Sequence, residues 1–581
     1  MRKKLLFSLL TLILTTAFSY AQITVSGTVT DASGETLPGV SIMVKGTTQG
    51  TATDFDGAYE ISASQGDVLI FSFIGFATKE VAVTSSTVNV SLAEDTESLD
   101  EVVVTALGIK REEKALGYSL TEVKGDEMNQ VKTTNAMNAL QGRVAGVNVS
   151  TNSTGASGSS RVIIRGASSL TGDNQPLYVI DGIPMVNRTK GSVGAYNGEF
   201  GDGGDDVGSI SPDDIESVSV LKGSSAAALY GSAASNGVIM ITTKSGKGTQ
   251  GLGIEFSSSL TFDKVNTGLQ DFQTTYGQGT FGVRPGYERD TDGNVVPITD
   301  PELAVDDALV KGLSSWGERF DGAPTIQWDG VKRPYSYSGD NVERFYNVGS
   351  TAVNTISLVK GAEDYNYRFS VSNLDNDDVF PNSTLKRQSY SFNAMAKINP
   401  KLTSTVTARY IIEKVHNRVG IGDGPGNANF TALMLPSNLN IKDLKPGYDE
   451  NGEELKFQSS VWFTNPYWVT NKFNNDDKKN RLISSATLKY DITDWLYVTG
   501  RAGLDRYDLS RTRVTPYGTA YRPGGRHYQT KQTFDLFDAD IMLGVNKDLT
   551  DKISTNSVVG ANTQKQTFEA LSAQGDNYVV I

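Results

Sequence analysis

From Gly251 onward, apolar and polar residues alternate with a period of two. Ile254, Phe256, Leu260 and Phe262 are separated by Glu255, Ser257, Ser259 and Thr261. Tyr367, Phe369 and Val371 alternate with Arg368, Ser370 and Ser372, and Leu402, Val406, Ala408 and Tyr410 with Thr403, Thr405, Thr407 and Arg409. Phe537, Ala539, Ile541, Leu543 and Val545 alternate with Asp538, Asp540, Gly544 and Asn546. Each run predicts a strand with one apolar and one polar face. A soluble sandwich gives the same pattern, so alternation leaves two architectures open. The connections separate them. Tight turns fall at 361–365, 399–401, 491–494 and 547–551, and between them lie longer links at 264–350, 375–386, 413–479 and 511–529. Strict alternation of short and long is the mark of an outer-membrane barrel, with short turns on the periplasmic side and long loops outside. Tyr490, Trp495 and Tyr497 flank one short turn, where an aromatic girdle belongs.

Upstream the pattern changes. Residues 22–92 read as a small β-sandwich: Val25, Gly27 and Val29 alternate with polar neighbours, Asp31 to Gly34 and Asp54 to Gly57 supply turns, and Val68 to Phe73 is a buried strand. Residues 93–100 are an acidic linker, followed by Glu101-Val102-Val103-Val104-Thr105-Ala106, a β-branched run that favours an extended chain. Such a strand can join the sheet edge of another protein, or serve as the first strand of the domain that follows. In that domain, Leu177 to Ile180, Ile215 to Leu221 and Val238 to Thr243 read as strands, and Met137 to Val144 as a short helix. An Ala-rich helix is predicted between Ser224 or Ser225, as its cap, and Gly231, as its end.

Composition narrows the chemistry. The 581 residues include 59 Gly, 20% charged residues and no Cys, a profile that suits a turn-rich β-protein of several domains. The absence of Cys removes disulfides, thiolate metal sites and Cys nucleophiles. Two His far apart, His416 and His527, do not make a zinc site or a triad, and a net charge of −13 argues against a nucleic-acid partner. Residues 1–21 read as a secretory signal peptide: Arg2, Lys3 and Lys4, an apolar run from Leu5 to Ala17, then Ser19-Tyr20-Ala21 before the cut.

Three passages carry a family resemblance. Gly27-Thr28-Val29-Thr30-Asp31, Leu37-Pro38-Gly39-Val40 and Asp56-Gly57-Ala58-Tyr59 resemble carboxypeptidase regulatory-like domains, which are non-catalytic. Asp181-Gly182, Lys222-Gly223 and Tyr230-Gly231, in their settings, resemble the plug domain of the SusC/RagA family of TonB-linked outer-membrane receptors. Tyr276-Gly277-Gln278-Gly279 and Ser315-Trp316-Gly317 are similar to the first long loop of such receptors. The resemblance implies a mainly β chain: a signal peptide at 1–21, a regulatory-like sandwich at 22–92, a linker at 93–111, an α/β plug at 112–247 and part of a transmembrane antiparallel barrel at 248–581. It implies that Glu101 to Ala106 is the TonB box, gripped by TonB and its inner-membrane energising complex. It implies a SusD-like surface lipoprotein as lid, and uptake of an oligosaccharide or a peptide across the outer membrane. No catalytic residue, metal or cofactor is expected.

Other features remain open at this stage. Arg161, Arg165 and Arg188 either pair with carboxylates on an inner barrel wall or are solvated surface charges. The acidic run Asp202, Asp205, Asp206, Asp213 and Asp214 lacks calcium-ligand spacing and reads as a solvated loop. Gly277-Gln278-Gly279-Thr280-Phe281-Gly282 fits a dinucleotide fingerprint by chance, since no βαβ unit surrounds it. Tyr448, Phe457, Trp462, Phe463, Tyr467 and Trp468 either stack on sugar or pack their own loop. The alternation amounts to about nine strands, against the roughly 22 of a plugged transporter, so a longer receptor is expected. The competing readings are a surface adhesin or structural β-protein, indifferent to Glu101–Ala106, and a signal-relaying receptor.

Overall fold

The computed structural model describes residues 23–578, apart from 46, 48, 74–75, 94–101, 105–109, 113–119, 131, 152–153, 171–173, 186, 188–201, 224–229, 250, 267–271 and 551–552. The signal peptide, Arg188, Glu101, Thr105, Ala106 and all but the end of the Ala-rich helix therefore lie outside the described residues. The chain divides into two units, the first built from its N-terminal residues up to Val102 with a short piece at Glu112–Lys114, the second from nearly all the rest.

The first unit is the expected sandwich. Strands β1 (Ile23–Thr30), β4 (Ala58–Ala63) and β7 (Val90–Ser91) form one sheet, and β2 (Ser41–Val44), β3 (Gly50–Ala52), β5 (Val68–Phe73) and β6 (Phe76–Ala82) the other. Alternate residues of the two sheets meet in one core that includes Val25, Val29, Ile42, Ile61, Leu69 and Phe71. The two predicted turns form through Asp side chains. Asp31 accepts the N–H groups of Ser33 (2.9 Å) and Glu35 (2.8 Å), and Asp54 those of Asp56 (3.0 Å) and Ala58 (2.8 Å).

After the linker, β8 (Val102–Val104) pairs with β9 (Lys110–Glu112) in a ladder of two short strands. Part of the β-branched run thus has a local partner, three residues long.

The second unit begins with β10 (Leu120–Lys124), β11 (Val147–Thr151) and β12 (Ser160–Ile164). Next come β13 (Leu177–Ile180), β14 (Ile183–Met185), β15 (Ile215–Leu221) and β16 (Val238–Thr243). β11 and β12 make a hairpin, and the others a mixed sheet in the order β10-β15-β16-β13-β14, in which β13 and β16 are parallel. The predicted helix at 137–144 is a single 3₁₀ turn, Ala136–Leu140, capped by the Asn135 side chain. Two left-handed glycines, Gly142 and Gly146, prevent it from continuing.

The remainder is one antiparallel sheet of nine strands: β17 (Gly251–Asp263), then β22 (Gly349–Gly361), β23 (Tyr365–Asp377), β24 (Thr384–Asn399), β25 (Leu402–His416), β26 (Asn474–Asp491), β27 (Leu496–Thr515), β28 (Arg526–Thr550) and β29 (Ile553–Asp576). Two small hairpins, β18–β19 (Tyr287–Arg289, Val295–Pro297) and β20–β21 (Pro324–Ile326, Lys332–Pro334), lie in the link after β17. The sheet is not closed. Its connections alternate as expected: even the shortest long link, 378–383, exceeds the tight turns at 362–364, 400–401 and 492–495.

Which face is buried decides between the two architectures left open above. In water the apolar face would be covered. Here Ile254, Phe256, Leu260, Phe262, Phe369, Val406 and Ile541 are exposed, while Thr355, Arg368, Ser370, Ser372, Thr407 and Arg409, on the opposite face, are buried. The wall is inside out with respect to a soluble protein. That arrangement fits lipid on one side and a filled polar interior on the other. At the rim of the short turns, Tyr490 and Trp495 are exposed, and the ammonium groups of Lys489 and Lys547 lie 4.9 Å and 4.7 Å from the Tyr497 and Trp495 rings.

Ile541, 59% exposed on β28, gives a clean discrimination. In phospholipid vesicles Ile541→Arg is expected to cost about 2–4 kcal/mol, read by urea titration of the inserted protein. A cost within about 0.5 kcal/mol, as at an aqueous surface, would contradict the assignment of this face to lipid.

Candidate functional site: the plug seated on the strand wall

The five-stranded mixed sheet and the loop before β15 lie against the polar inner face. The loop carries the acidic run, and none of the five carboxylates is solvated. Asp202 and Asp205 tie the loop to the β11–β12 hairpin, and the backbone of Asp206 bridges Asn187 and the wall. Asp202 accepts the Thr154 hydroxyl (2.8 Å) and the Ser159 N–H (2.5 Å), Asp205 the N–H groups of Ser160 and Gly208 (both 2.7 Å), and Asp206 N–H donates to Asn187 (2.9 Å). The other two turn to the wall. Asp213 pairs with Lys132 (2.7 Å) and accepts the Thr355 hydroxyl (2.5 Å). Asp214 accepts from Arg368 (2.6 Å), Ser370 (2.6 Å) and Ser391 (2.5 Å), three side chains of β23 and β24.

The polarity is the reverse of one sequence reading. Plug arginines were to meet wall carboxylates. Instead, plug carboxylates meet wall guanidiniums, while Arg161 and Arg165 are exposed. The reading of the acidic run as solvated is likewise overturned: Asp213 and Asp214 find partners on strands far along the chain, and Asp202 and Asp205 on the hairpin that precedes the loop. A signal was present: β23 and β25 carry Arg368 and Arg409 on their polar faces, so their partners had to be acidic.

Asp181 and Gly182 form the two-residue turn between β13 and β14, both with positive φ (48° and 85°), as an Asp-Gly hairpin turn requires. The Asp181 carboxylate accepts the Thr243 N–H (2.9 Å), tying the turn to β16, and pairs with Arg409 of β25 (2.8 Å). Gly182 has a second constraint: a Cβ there would lie 2.1 Å from the Arg501 guanidinium of β27, itself held by Asp540 (2.6 Å). Deeper in the interface, Arg481 of β26 pairs with Asp505 (2.7 Å) and donates to the Ser209 hydroxyl (3.0 Å) and the Asp206 carbonyl. Apolar contact is limited here. Ile411 and Ile483 of the wall join the core of the mixed sheet.

The other motif residues lie at the far end of that sheet, since Leu221 pairs with Val238 and Leu177 also sits beside Val238. Lys222 donates to the Thr121 hydroxyl (2.9 Å), and its ammonium is pushed down by burial and then by the Arg165 charge. Gly223 (φ 94°) passes with its would-be Cβ 3.0 Å from Arg165, Tyr230 packs against the apolar cluster beneath, and Gly231 (φ 70°) opens a 3₁₀ turn, Gly231–Ala234, in the left-handed conformation.

Beyond the outer ends of the strands, links 264–348 and 417–473 build a layer with its own core. Gln278 N–H donates to the Asn438 side chain (2.6 Å) and Asn341 to the Leu439 carbonyl (2.8 Å). Of the loop aromatics, Phe457, Tyr467 and Trp468 are buried in this layer, Trp462 is exposed, Phe463 stacks on Phe430 (5.1 Å), and Tyr448 lies under the Lys472 ammonium (4.3 Å). The dinucleotide-like glycines belong to its packing, since a Cβ on Gly277 would strike Phe320 and Tyr335.

Comparison with known proteins agrees with this geometry. Residues 112–238 match the model of the TonB-dependent Receptor Plug Domain, and 25–104 that of the CarboxypepD_reg-like domain. The TonB-dependent receptor SusC of Bacteroides thetaiotaomicron is 33% identical over 77% of this chain. The chain belongs to the SusC/RagA family of TonB-dependent receptors. It spans 39% of the length of SusC. The TonB-dependent receptor P26 of Formosa agariphila is 42% identical over 42% of this chain and 22% of its own. Among solved structures, the RagAB peptide importer in its open-open state shares the fold at a TM-score of 0.62 and 20% identity, over 83% of this chain and 51% of that one. These relatives are receptors and transporters rather than enzymes. The SusC/RagA-type wall belongs in the outer membrane, with the plug and N-terminal domain on the periplasmic side.

Two outcomes follow from the ion pairs. Asp214→Ala strands the buried Arg368 guanidinium, and the plug should lose about 3–5 kcal/mol, read as its protection from protease inside the intact wall. Asp214→Leu with Arg368→Met should recover most of that loss; failure to recover would mean that the pair does more than fill space. The second concerns pH. Burial raises the Asp214 carboxyl, but Arg368 beside it and the hydrogen bonds from Arg368, Ser370 and Ser391 together hold it below its ordinary 3.8. Its stabilising effect is therefore complete above that ordinary value and is lost as pH falls through the lower folded one. Asp205, pushed up by burial, has the opposite sign and favours the folded plug most when protonated. Plug protection should fall on acidification below about pH 4, and Asp214→Asn should flatten that part of the profile.

Proposed function

We propose that this chain is part of an active importer of an oligosaccharide or peptide nutrient, energised by TonB through Glu101–Ala106 and covered from outside by a SusD-like lipoprotein. The observation that carries the reading is the chemistry of the plug seat. A stopper held by carboxylates, guanidiniums and hydroxyls can be pulled from its seat with water replacing each contact. One held by a broad apolar core would expose that core as it moved.

The segment to be gripped suits the same purpose. A ladder of two three-residue strands is marginal in water, so Val102–Val104 can be exchanged from β9 onto the sheet edge of a periplasmic partner. The outer membrane holds no nucleotide pool or ion gradient, so work must arrive mechanically along such a strand. Asp181 and Gly182 fasten the plug to β25 and β27, and Lys222, Gly223, Tyr230 and Gly231 shape its far end. The importer reading is favoured over an adhesin because an adhesin has no use for a releasable plug.

Deletion of residues 101–106 in the full-length receptor is expected to abolish uptake of a nutrient that the parent strain takes up through it, while leaving binding at the cell surface within about twofold. Uptake that survives the deletion would remove the importer reading and favour the adhesin.

A further inference from the structure

On the outward face of the wall, toward the outer ends of its strands, lysine stands opposite lysine. Lys386 of β24 is directly across from Lys414 of β25, and Lys414 from Lys478 of β26. The row continues through Ser510 of β27 to Lys531 of β28. All four lysines are exposed. Neighbouring strands are about 4.8 Å apart, so the first three lysines leave the wall within about 10 Å of one another. Like charges directly opposite each other destabilise a sheet, and below a Debye length of about 8 Å salt screens them little. Local carboxylates do not compensate. Lys386, at the end of the row, pairs with Asp375 (3.5 Å), whereas Lys414, Lys478 and Lys531 make no ion pair among the described residues. Asp476, on the same face of β26, is held by His416 (2.8 Å). The repulsion is left for something outside the wall to offset.

The height of the row identifies what that is. Lys478 and Tyr490 lie on one strand, about 40 Å apart along it. At the usual tilt of a transmembrane barrel this is about 30 Å along the membrane normal, the thickness of the hydrocarbon core. Tyr490 belongs to the rim of the short turns, so the lysines stand at the opposite surface, level with the headgroups of the outer leaflet. Between the two levels the outward face carries Tyr390, Phe392, Tyr410 and Leu488, all exposed. A lysine stem can lie along such a surface and carry its ammonium up to the headgroups.

From this we infer that Lys386, Lys414 and Lys478 form a binding site for an anionic lipid phosphate of the outer leaflet. Ammonium groups that converge on one phosphate turn their mutual repulsion into a shared attraction. A soluble anion meets the same charges, but only a lipid presents its phosphate at this height with acyl chains against the apolar face below. The inference goes beyond the importer reading and does not depend on it; it depends on the assignment of this face to lipid.

The test is native mass spectrometry of the full-length receptor in detergent, titrated with phosphatidic acid and with phosphatidylcholine of the same chains. Phosphatidic acid should bind more tightly. Lys414→Gln and Lys478→Gln should each weaken it about fivefold, whereas Lys442→Gln, an exposed lysine of the outer layer, should leave it within about twofold. Excess inorganic phosphate should not displace the lipid. A second measurement separates a binding role from a structural one. In phosphatidylcholine vesicles Lys414→Gln should leave stability to urea unchanged or raise it, because it removes repulsion; in vesicles that contain phosphatidic acid it should lower it. Equal binding of the two lipids, equal weakening by Lys442→Gln, displacement by inorganic phosphate, or a loss of stability in both kinds of vesicle would overturn the site. None of these outcomes bears on residues 101–106, whose deletion tests the importer alone.

Discussion

The polar inner face of the strand wall is the constraint from which the rest of the structure follows. A strand that meets hydrocarbon on one side must place its polar alternate residues on the other, and those residues need partners once water is excluded. Arg368, Arg409 and Arg481 are such residues, each nearly or wholly buried. The plug supplies what they require: the carboxylates of Asp214 and Asp181 and the oxygens around Asp206 and Ser209. Wall and plug are therefore complementary in charge rather than in apolar area. The same property secures the seat and lets water replace it.

The geometry of the plug motif follows from the same contact. A turn that approaches a wall of long cationic side chains cannot carry bulk at its tip. Gly182 removes the Cβ that Arg501 would meet, and its positive φ closes a two-residue turn in the same step. Asp181 faces both ways, toward Thr243 within the sheet and Arg409 across the interface. One dipeptide serves the fold of the plug and its attachment.

Much of this was legible in the sequence, for reasons that differ by region. Period-two alternation and the sorting of short and long connections are local properties, so the nine-stranded wall and its direction could be read from runs such as Phe537 to Val545. The sandwich was readable because its turns rest on Asp31 and Asp54, which act within a few residues. Long-range pairing was not readable. Asp213 and Asp214 resemble a solvated acidic loop until Thr355, Arg368 and Ser391 are placed beside them, more than a hundred residues later. Of the two readings left open for Arg161 and Arg165, the solvated one holds, and only tertiary placement decides between them. The cue was the arginines on the polar faces of β23 and β25, which fixed the sign their partners must carry. In the outer layer, Phe457 and Trp468 pack the loop and Trp462 does not, a division set by tertiary contacts between two links far apart in sequence.

The central claim is that this wall turns its apolar face to lipid and its polar face to the plug. The chain has no Cys, so single cysteines for spin labels can be introduced one at a time along β25 in a receptor returned to bilayers. Collisional accessibility to oxygen from position 405 to 412 should oscillate with period two, high at 406, 408 and 410 and low at 407, 409 and 411. A water-soluble relaxant should fail to reach either set in the membrane. A flat profile, or one in which that relaxant reaches Val406 and Tyr410, would contradict the account.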